Sequence, residues 1–519
     1  MVRRCARWAT LAPWLLALSC LSGGSHTTSR KSASKPQVPI TWDERALATL
    51  ETPLAHAAAS PRDISASDYY SLPVRPIYKD YPRYHPDQEP PGYLPSLRRR
   101  EPIVVWDDTH RPPLESDADW IRAGELVFNA PVLFFAEDDD DKEHARQFIA
   151  QTGDLFDRDG VSPYSTYVVR RRGTVETGEG SCRECHSRLL PDGRVIRGAQ
   201  GNRPIGRIAF FGLGSDFAKA PDPDRFMADV RVGLRRQFAT PWLDPDPNAA
   251  LATLSAADVD AVYAAIPAGV FPRQGTSPLS PAKLPDLIGI KDQKFLDSSG
   301  LQRHRGAADL MRYAALNQGM DLLAAFGNFT PIDAAARVRL GKDHAARSRY
   351  SDEQLYALAM YLYSLTPPAN PHRPSALTAA GERVFEREHC ALCHPAPLYT
   401  TNELTPAVGF ATPDADRGSA DVLPIVVGTD PTLTLRTRRG TGYYKIPSLR
   451  GLWYRGPFEH NGSVATLEDW FDAGRLADDY VPTGWKGYRV ERRAVKGHEY
   501  GLRLSPTDKR ALIAFLQTL

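Results

Sequence analysis

The most regular alternation of apolar and polar residues marks two helices, one in each half of the chain. Ser351 is followed three residues later by Gln354, the spacing of a capping box, and apolar residues then recur on one helical face up to Pro367. A second start, Ser505 followed by Pro506, leads into another apolar stripe. These patterns predict two amphipathic closing helices, each ending one half of the chain.

A six-residue pattern, Ala-Gly-Glu-x-Val-Phe, occurs at 123–128 and again at 380–385, and each copy predicts an opening helix. Further helical stretches are predicted between the copies, at 222–236, 255–266 and 309–326. Proline, asparagine and histidine then crowd together just before the second copy, which is typical of a boundary. We therefore predict a mainly α fold of two domains, an enlarged first domain over 120–368 and a second over 372–519.

The start of the chain has a different character. A basic beginning, an apolar run at 8–21 and small residues after it form the layout of a secretory signal peptide over 1–24. The run is shorter than the roughly 20 residues of a membrane span. The expected location is therefore periplasmic or secreted, and Cys20 leaves open a lipid anchor that would make the protein a membrane-anchored lipoprotein. Residues 25–119 are rich in Pro and Tyr without periodicity, which predicts an extended N-terminal arm.

The overall composition is that of a globular chain with no strong electrostatic preference. Charged residues make up 24% and hydrophobic residues 42% of the 519 residues, and the formal net charge is +2. So small a net charge gives no bulk attraction to nucleic acid, which we therefore do not expect as a partner.

Six cysteines occur, and two of them, Cys5 and Cys20, fall in the export segment. The other four form two copies of Cys-x-x-Cys-His, namely Cys182, Cys185 and His186, and Cys390, Cys393 and His394. Two thiols at this spacing can bond to the vinyl groups of one haem while the adjoining imidazole binds the iron. Thioredoxin-like pairs and a zinc site are the alternatives, although the two pairs lie too far apart in sequence for a compact zinc module. The motifs predict two covalently attached c-type haems.

What occupies the sixth position of each iron decides between electron transfer and chemistry. All five methionines precede the second domain, and after His394 only His460 and His498 occur. His460 lies in a tight polar turn, so we predict it as the sixth ligand of the second haem. The alternative is a histidine that is hydrogen-bonded in that turn or to a haem propionate.

The first haem has no such candidate close by, because the next histidine after His186 is His304. An open sixth position is therefore predicted, with His304 or Met227 as the alternative ligands. Trp242 is the only tryptophan between the two motifs, which makes it a candidate stepping stone for electrons or, alternatively, a buried core residue. His304 and Trp242 are thus the candidate catalytic residues.

The paired motifs, together with residues 445–469 (KIPSLRGLWYRGPFEHNGSVATLED), resemble the bacterial di-haem cytochrome c peroxidase superfamily, which includes di-haem rubber oxygenases. The resemblance covers roughly residues 120–519. It implies two cytochrome c-like haem domains and His460 as a haem ligand. It also implies a calcium ion between the haems, held partly by backbone carbonyls near Pro457.

One departure from that family concerns acid–base chemistry. Peroxidases of this family use a glutamate above the reactive haem, but no glutamate lies between Glu184 and Glu353. We therefore expect an exported di-haem oxidoreductase that uses peroxide or dioxygen at the first haem and passes electrons through the second. Its partners would be an electron donor or acceptor protein and a small-molecule substrate. A non-catalytic electron carrier and a rubber-oxygenase-like dioxygenase acting on a hydrophobic substrate are the alternatives.

Overall fold

A computed structural model describes residues 37–43, 46–56, 59, 62–137, 142–273, 275–331 and 348–519. The predicted signal peptide, with Cys5 and Cys20, lies outside these residues. Val38–Leu519 form one compact unit, and the boundary predicted between 368 and 372 falls inside it. Within the described ranges, no helix combines the length and the apolar character needed to cross a membrane.

The regular elements are spread along the whole compact unit. The α-helices are α1 Ala46–Leu50, α2 Ala66–Ser71, α3 Tyr93–Arg98, α4 Asp117–Asn129, α5 Lys142–Thr152, α6 Cys182–Cys185, α7 Ile205–Ala209, α8 Leu213–Lys219, α9 Pro223–Phe238, α10 Ala256–Ala264, α11 Ala307–Asn317, α12 Asp352–Ser364, α13 Ala376–Arg387, α14 Thr432–Leu435, α15 Leu467–Trp470 and α16 Pro506–Leu516. The strands are β1 Arg62–Asp63, β2 Ile77–Tyr78, β3 Asp80–Tyr84, β4 Val104–Trp106, β5 Leu133–Ala136, β6 Val161–Arg171, β7 Thr174–Glu179, β8 Ser187–Leu189, β9 Val195–Arg197, β10 Val270–Phe271, β11 Ala282–Lys283, β12 Ala325–Phe326, β13 Leu404–Pro406 and β14 Tyr443–Lys445.

The fold is mixed α/β, with 35% helix and 14% strand in several small sheets. The expectation of a mainly α protein built from two cytochrome c-like haem domains is therefore wrong. Many strands are only two or three residues long, too short to show a period of two. Their partners are also remote, since β1 pairs with β12 and places Arg62 opposite Phe326.

The segment expected to form an extended N-terminal arm is instead part of the body. Trp42, Leu50, Tyr69 and Trp106 are fully buried in the main hydrophobic core. Strand β3, from the same segment, is an edge of the four-stranded antiparallel sheet, whose order is β3-β6-β7-β5. Because β7 ends at Glu179, this sheet fixes where the first cysteine motif begins.

The predicted helices in the middle of the chain form, with one correction. Helices α9 and α10 match the stretches predicted at 222–236 and 255–266. The stretch predicted at 309–326 ends early, because α11 stops at Asn317 and Gly319 adopts a left-handed backbone (φ 103°). A 3₁₀ turn over Met320–Leu323 and strand β12 follow it.

Both predicted closing helices are confirmed together with their caps. In α12, Gln354 N donates to Ser351 Oγ (3.1 Å) and Ser351 N donates to the Gln354 side chain (2.9 Å). In α16, Pro506 is the first residue and Asp508 N donates to Ser505 Oγ (3.1 Å). These are the contacts that the sequence spacing predicted.

Each closing helix crosses an opening helix, and a glycine lies at each crossing. Gly124 in α4 packs against the carbonyl group of Ala357 in α12, and Gly381 in α13 packs in the same way against Ala511 in α16. A methyl group at either glycine would overlap that carbonyl oxygen. Helix packing therefore explains the glycine of the repeated Ala-Gly-Glu-x-Val-Phe pattern.

We expect Gly124→Ala and Gly381→Ala each to lower the free energy of unfolding by about 2 kcal/mol or more, because an added methyl group forces the helices apart. Urea denaturation followed by circular dichroism measures this change. Gly233→Ala in α9 is the matched control: nothing lies within 4 Å of the position of its added Cβ, so helix propensity alone should stabilise the protein slightly. Equal urea midpoints for the three variants would contradict the close packing at the crossings.

Candidate functional site

The first cysteine motif is anchored by a buried ionic network. Arg203, which is 1% exposed, donates to both oxygens of Asp154 (2.9 and 3.0 Å), to Glu179 (2.9 Å) and to Glu184 (2.7 Å). Glu184 belongs to the motif and also accepts a hydrogen bond from Gly180 N (2.6 Å). Breaking such a buried network is costly, so the short helix α6 is held firmly at the end of β7.

His186 is oriented as a metal ligand would be. Its Nδ1 lies 3.0 Å from the carbonyl oxygen of Pro285, which fixes the ring and turns Nε2 away from that bond. Burial, with Arg273 nearby, lowers the pKa of His186 to about 4. The imidazole is therefore neutral at neutral pH, which is the form that binds a metal.

The second motif gives His394 the same arrangement. The Nδ1 of His394 lies 3.0 Å from the carbonyl oxygen of Tyr399. Burial, with the neighbouring His498 adding to it, lowers the pKa of His394 to about 4. Both motif histidines thus present a neutral imidazole whose Nδ1 is already bonded to the backbone.

The motif cysteines are free thiols with raised pKa values. Burial raises the pKa of Cys182 to about 11, that of Cys185 to about 12 and that of Cys390 to about 11, and it also raises that of Cys393. Thioredoxin-like pairs depend on a lowered thiol pKa. The surroundings of these cysteines are therefore unfavourable for a dithiol redox pair.

The second motif opens into a cavity of about 610 Å³. This volume lies within the roughly 300–1,000 Å³ typical of cofactor and small-molecule sites. Its lining includes both thiols, four histidines and an apolar wall: Cys390, Cys393, His389, His394, His460, His498, Phe385, Leu467, Phe471, Leu512 and Leu516. The donor set and the enclosed space both fit a covalently attached haem.

The ring of His498 lies near the ring of the motif histidine, His394, in this cavity. The ring centroids of His498 and His394 are 6.5 Å apart. Two imidazoles bound to opposite sides of one metal, at about 2 Å each, have centroids on the order of 6 Å apart. Within the described part of the chain, the buried Nδ1 of His498 has no hydrogen-bond partner. His394 and His498 are therefore spaced so that they would hold one iron between them.

His460, the sixth ligand predicted from the sequence, lines the same cavity but has other partners. Its Nδ1 lies 3.1 Å from Glu459 Oε2, and its ring stacks on Tyr444 at 4.5 Å. Its carbonyl oxygen accepts a hydrogen bond from Lys283 N (2.9 Å). The Nδ1 contact holds the His460 ring in the same way as the backbone carbonyls hold the rings of His186 and His394, and it leaves Nε2 free, so His460 and His498 are both candidates for the sixth ligand.

The first motif lines a smaller cavity, of about 110 Å³. Gln318 Nε2 lies 3.7 Å from Cys182 Sγ, and Arg273 Nη1 lies 3.9 Å from Cys185 Sγ. The donor set fits a c-type haem, while the volume is below the roughly 300 Å³ of the smallest usual sites. Arg273 and Gln318 therefore occupy the space beside the two thiols that a haem attached there would need.

The other candidates from the sequence lie apart from the first cavity. Both ring nitrogens of His304 are bonded, Nδ1 to Gln293 O (2.8 Å) and Nε2 to the Tyr363 hydroxyl (2.6 Å). Met227 is buried in a separate cluster around α9 and α10. Trp242 stacks on Phe326 at 5.4 Å in the main core. Among the described residues that line the first cavity, His186 is the sole histidine and no methionine occurs.

Four residues line both cavities: Lys283, Pro285, Asp297 and Ser298. We call these four residues the shared wall. The Pro285 carbonyl oxygen is the one bonded to His186, so the wall reaches the first motif directly. Burial, followed by the nearby Arg455, lowers the pKa of Lys283 to about 7. This wall could not be predicted from the sequence, because none of its members belongs to a motif.

The backbone near Pro457 does not fit the calcium ion that the family resemblance implies. The Gly456 carbonyl oxygen accepts a hydrogen bond from Arg188 Nη1 (3.0 Å), and that of Pro457 accepts one from Gln200 Nε2 (3.0 Å). Calcium needs six to eight oxygen ligands, and a guanidinium at one of these oxygens repels a cation. Among the described residues, no group of three or more His, Cys, Asp or Glu side chains could hold a metal ion.

Comparison with known proteins adds little to this picture. No family model and no curated protein matches the chain. One similar solved structure is the Kuenenia stuttgartiensis hydrazine synthase pressurized with 20 bar xenon, at 17% identity over 56% of this chain and 87% of that chain. The TM-score is 0.27, too low to support any statement about fold or function. The resemblance to the di-haem peroxidase superfamily therefore rests on sequence motifs alone.

Proposed function

We propose that the chain is a di-haem c-type oxidoreductase with one electron-transfer haem and one reactive haem. The observation that carries the proposal is that more histidines line the second cavity than the first. The second cavity is lined by three histidines besides the motif histidine, namely His389, His460 and His498, whereas His186 is the sole histidine among the described residues lining the first. The two sites are thus suited to different tasks.

At the second site, Cys390 and Cys393 would anchor the haem and His394 would bind its iron. His498 would supply the sixth ligand. An iron with two imidazole ligands exchanges electrons without binding a substrate. The apolar wall excludes water from this site, which suits a relay between a redox partner protein and the first site.

At the first site, Cys182 and Cys185 would anchor the haem and His186 would bind its iron. A haem with an open sixth position supplies peroxide or dioxygen chemistry. The chain's own contribution would be the hydrogen-bond donors on the cavity lining, including Arg273 and Gln318, which would orient a polar oxidant.

Proton transfer at the first site has one carboxylate available among the described lining residues. Asp297 belongs to the shared wall, and Arg439 Nη1 lies 3.2 Å from its Oδ2. Asp297 Oδ1 accepts a hydrogen bond from Leu301 N (2.9 Å). We assign Asp297 the role of exchanging protons at this site, in place of the glutamate that the related peroxidases use.

The sequence motifs favour a place in the di-haem cytochrome c peroxidase superfamily, and the predicted signal peptide favours export. Peroxidase and oxygenase chemistry share the open first site, and they differ in the oxidant consumed. A non-catalytic electron carrier is the second candidate, because the first cavity leaves little space for a substrate.

Carbon monoxide binding to the reduced protein tests the proposal. We expect one of the two haems to bind carbon monoxide and the other to keep its low-spin spectrum, because only the first site lacks a second imidazole. Absorption spectra before and after addition of the gas measure the bound fraction. If both haems are low-spin and neither binds carbon monoxide, the protein is instead a non-catalytic electron carrier.

A further inference from the structure

The loop that carries His498 has little regular structure of its own. It follows the 3₁₀ turn Ala473–Leu476 and contains no helix or strand before α16. His498 itself has a left-handed backbone (φ 45°), and so does Gly497 (φ 88°). This conformation is uncommon for a non-glycine residue, although histidine adopts it more readily than most, and contacts with the surrounding chain stabilise it. One such contact is the hydrogen bond that His498 N donates to Val427 O (2.6 Å).

Arg475 supplies that support through backbone carbonyls. The side chain of Arg475 is buried, with 1% of the residue exposed. Its Nη1 donates to Val495 O (2.5 Å), and its Nη2 donates to Gly497 O (2.9 Å) and to His498 O (3.0 Å). One guanidinium thus binds three carbonyls within four consecutive residues, the last of them on His498 itself.

The same guanidinium also fixes the wall beside the His498 ring. Arg475 Nε donates to Trp470 O (3.0 Å), and the guanidinium lies over the Trp470 ring at 5.6 Å from its centroid. The Trp470 ring meets the His498 ring edge to face, with centroids 5.1 Å apart. Arg475 therefore restrains His498 from two sides, through its backbone and through its aromatic neighbour.

The way in which the buried charge of Arg475 is satisfied favours a role in holding the loop of His498. In the described part of the chain, no carboxylate lies within ion-pair distance of Arg475, so backbone carbonyls alone satisfy the guanidinium. Burial lowers the pKa of Arg475 and the charge of Glu459 opposes that change, while every hydrogen bond of the guanidinium goes to a backbone carbonyl. These hydrogen bonds favour one conformation of the loop. Here that conformation is the one that holds the His498 ring 6.5 Å from the His394 ring.

We propose that Arg475 is the positioning residue that holds His498 in place as the sixth ligand of the second haem. The inference rests on the proposed function, because it presupposes a haem at the second motif. Arg475 does not touch the iron; it acts through the carbonyls of the loop. Its loss should loosen the axial bond without removing the haem.

The test is the spin state of the second haem in the purified holoprotein, read by absorption and electron paramagnetic resonance. Arg475→Leu should convert much of this haem from low spin to high spin, and added imidazole should restore the low-spin signal. Arg475→Lys, which keeps the charge but not the planar set of donors, should show a smaller change and decides the question if the leucine variant does not fold.

Arg438→Leu is the matched control. Arg438 is also 1% exposed and donates to backbone carbonyls, those of Ala239 (2.8 Å) and Arg235 (3.2 Å), in another part of the chain. Its replacement should leave the second haem low-spin. High-spin signals in both the Arg438 and Arg475 variants would overturn the proposal, since any loss of packing would then suffice. An unchanged spectrum in the Arg475 variants would overturn it as well.

The companion variant His498→Ala separates this inference from the proposed function. If His498→Ala is high-spin while Arg475→Leu stays low-spin, His498 is the ligand and only the positioning role is wrong. If His498→Ala remains low-spin, the ligand assignment itself fails, and the role of Arg475 fails with it.

Discussion

Replacing both thiols of one motif is expected to remove one of two covalent haems and to leave the other in place. Cys390→Ser combined with Cys393→Ser should halve the haem absorbance of the denatured protein and lower its intact mass by one haem. The reason is that each motif supplies both thioether bonds of its own haem. Intact-mass spectrometry of the protein, produced in a host that attaches c-type haem, measures the loss.

The first motif offers the matched experiment, Cys182→Ser combined with Cys185→Ser. We expect the same loss of one haem, and the spectrum that remains should then be that of the low-spin second site alone. A wild-type protein that carries no covalent haem at all, or one that carries zinc instead, would contradict the assignment of both motifs.

His498→Ala is expected to turn the second haem from low spin to high spin, because it removes the imidazole that faces His394 across 6.5 Å. The variant should also bind carbon monoxide at both haems instead of one. Added imidazole should reverse the change of spin state. Absorption spectra and electron paramagnetic resonance of the ferric protein measure the effect.

His460→Ala is the contrasting variant, and its expected effect is on stability. Although burial alone would raise the pKa of Glu459, its hydrogen bond to His460 and the charge of that residue lower it. Removing His460 leaves a buried carboxylate without this partner, which costs roughly 1–3 kcal/mol. A high-spin His460→Ala protein beside a low-spin His498→Ala protein would reinstate the ligand that the sequence favoured.

Sequence reasoning succeeded where the signal is local. The capping contacts of Ser351 and Ser505 depend on residues three positions away, so spacing alone predicts them. The repeated Ala-Gly-Glu-x-Val-Phe pattern likewise marks two real helices. The strands were missed because pairs such as Arg62 with Phe326 are formed by residues far apart in sequence, and no local period reveals them.

The distinction between local signals and contacts between distant residues also applies to the candidate site. The cysteine motifs can be recognised in the sequence, since the two thiols and the imidazole that would hold one haem lie within five consecutive residues. The roles of Arg203 and Arg475 cannot be predicted from the sequence, because only the fold brings their hydrogen-bond partners together. The sequence favoured His460 as the sixth ligand, and that stays a prediction; only the fold shows that the His498 ring lies 6.5 Å from the His394 ring.

The shared wall means that two irons in these cavities could not titrate independently. Lys283, Pro285, Asp297 and Ser298 border both cavities, so protein atoms lie between one centre and the other. An electron added at one centre would therefore act on the other through the protein, where charges interact more strongly than in water. The two centres would show anticooperative reduction, in which filling the first raises the energy needed to fill the second.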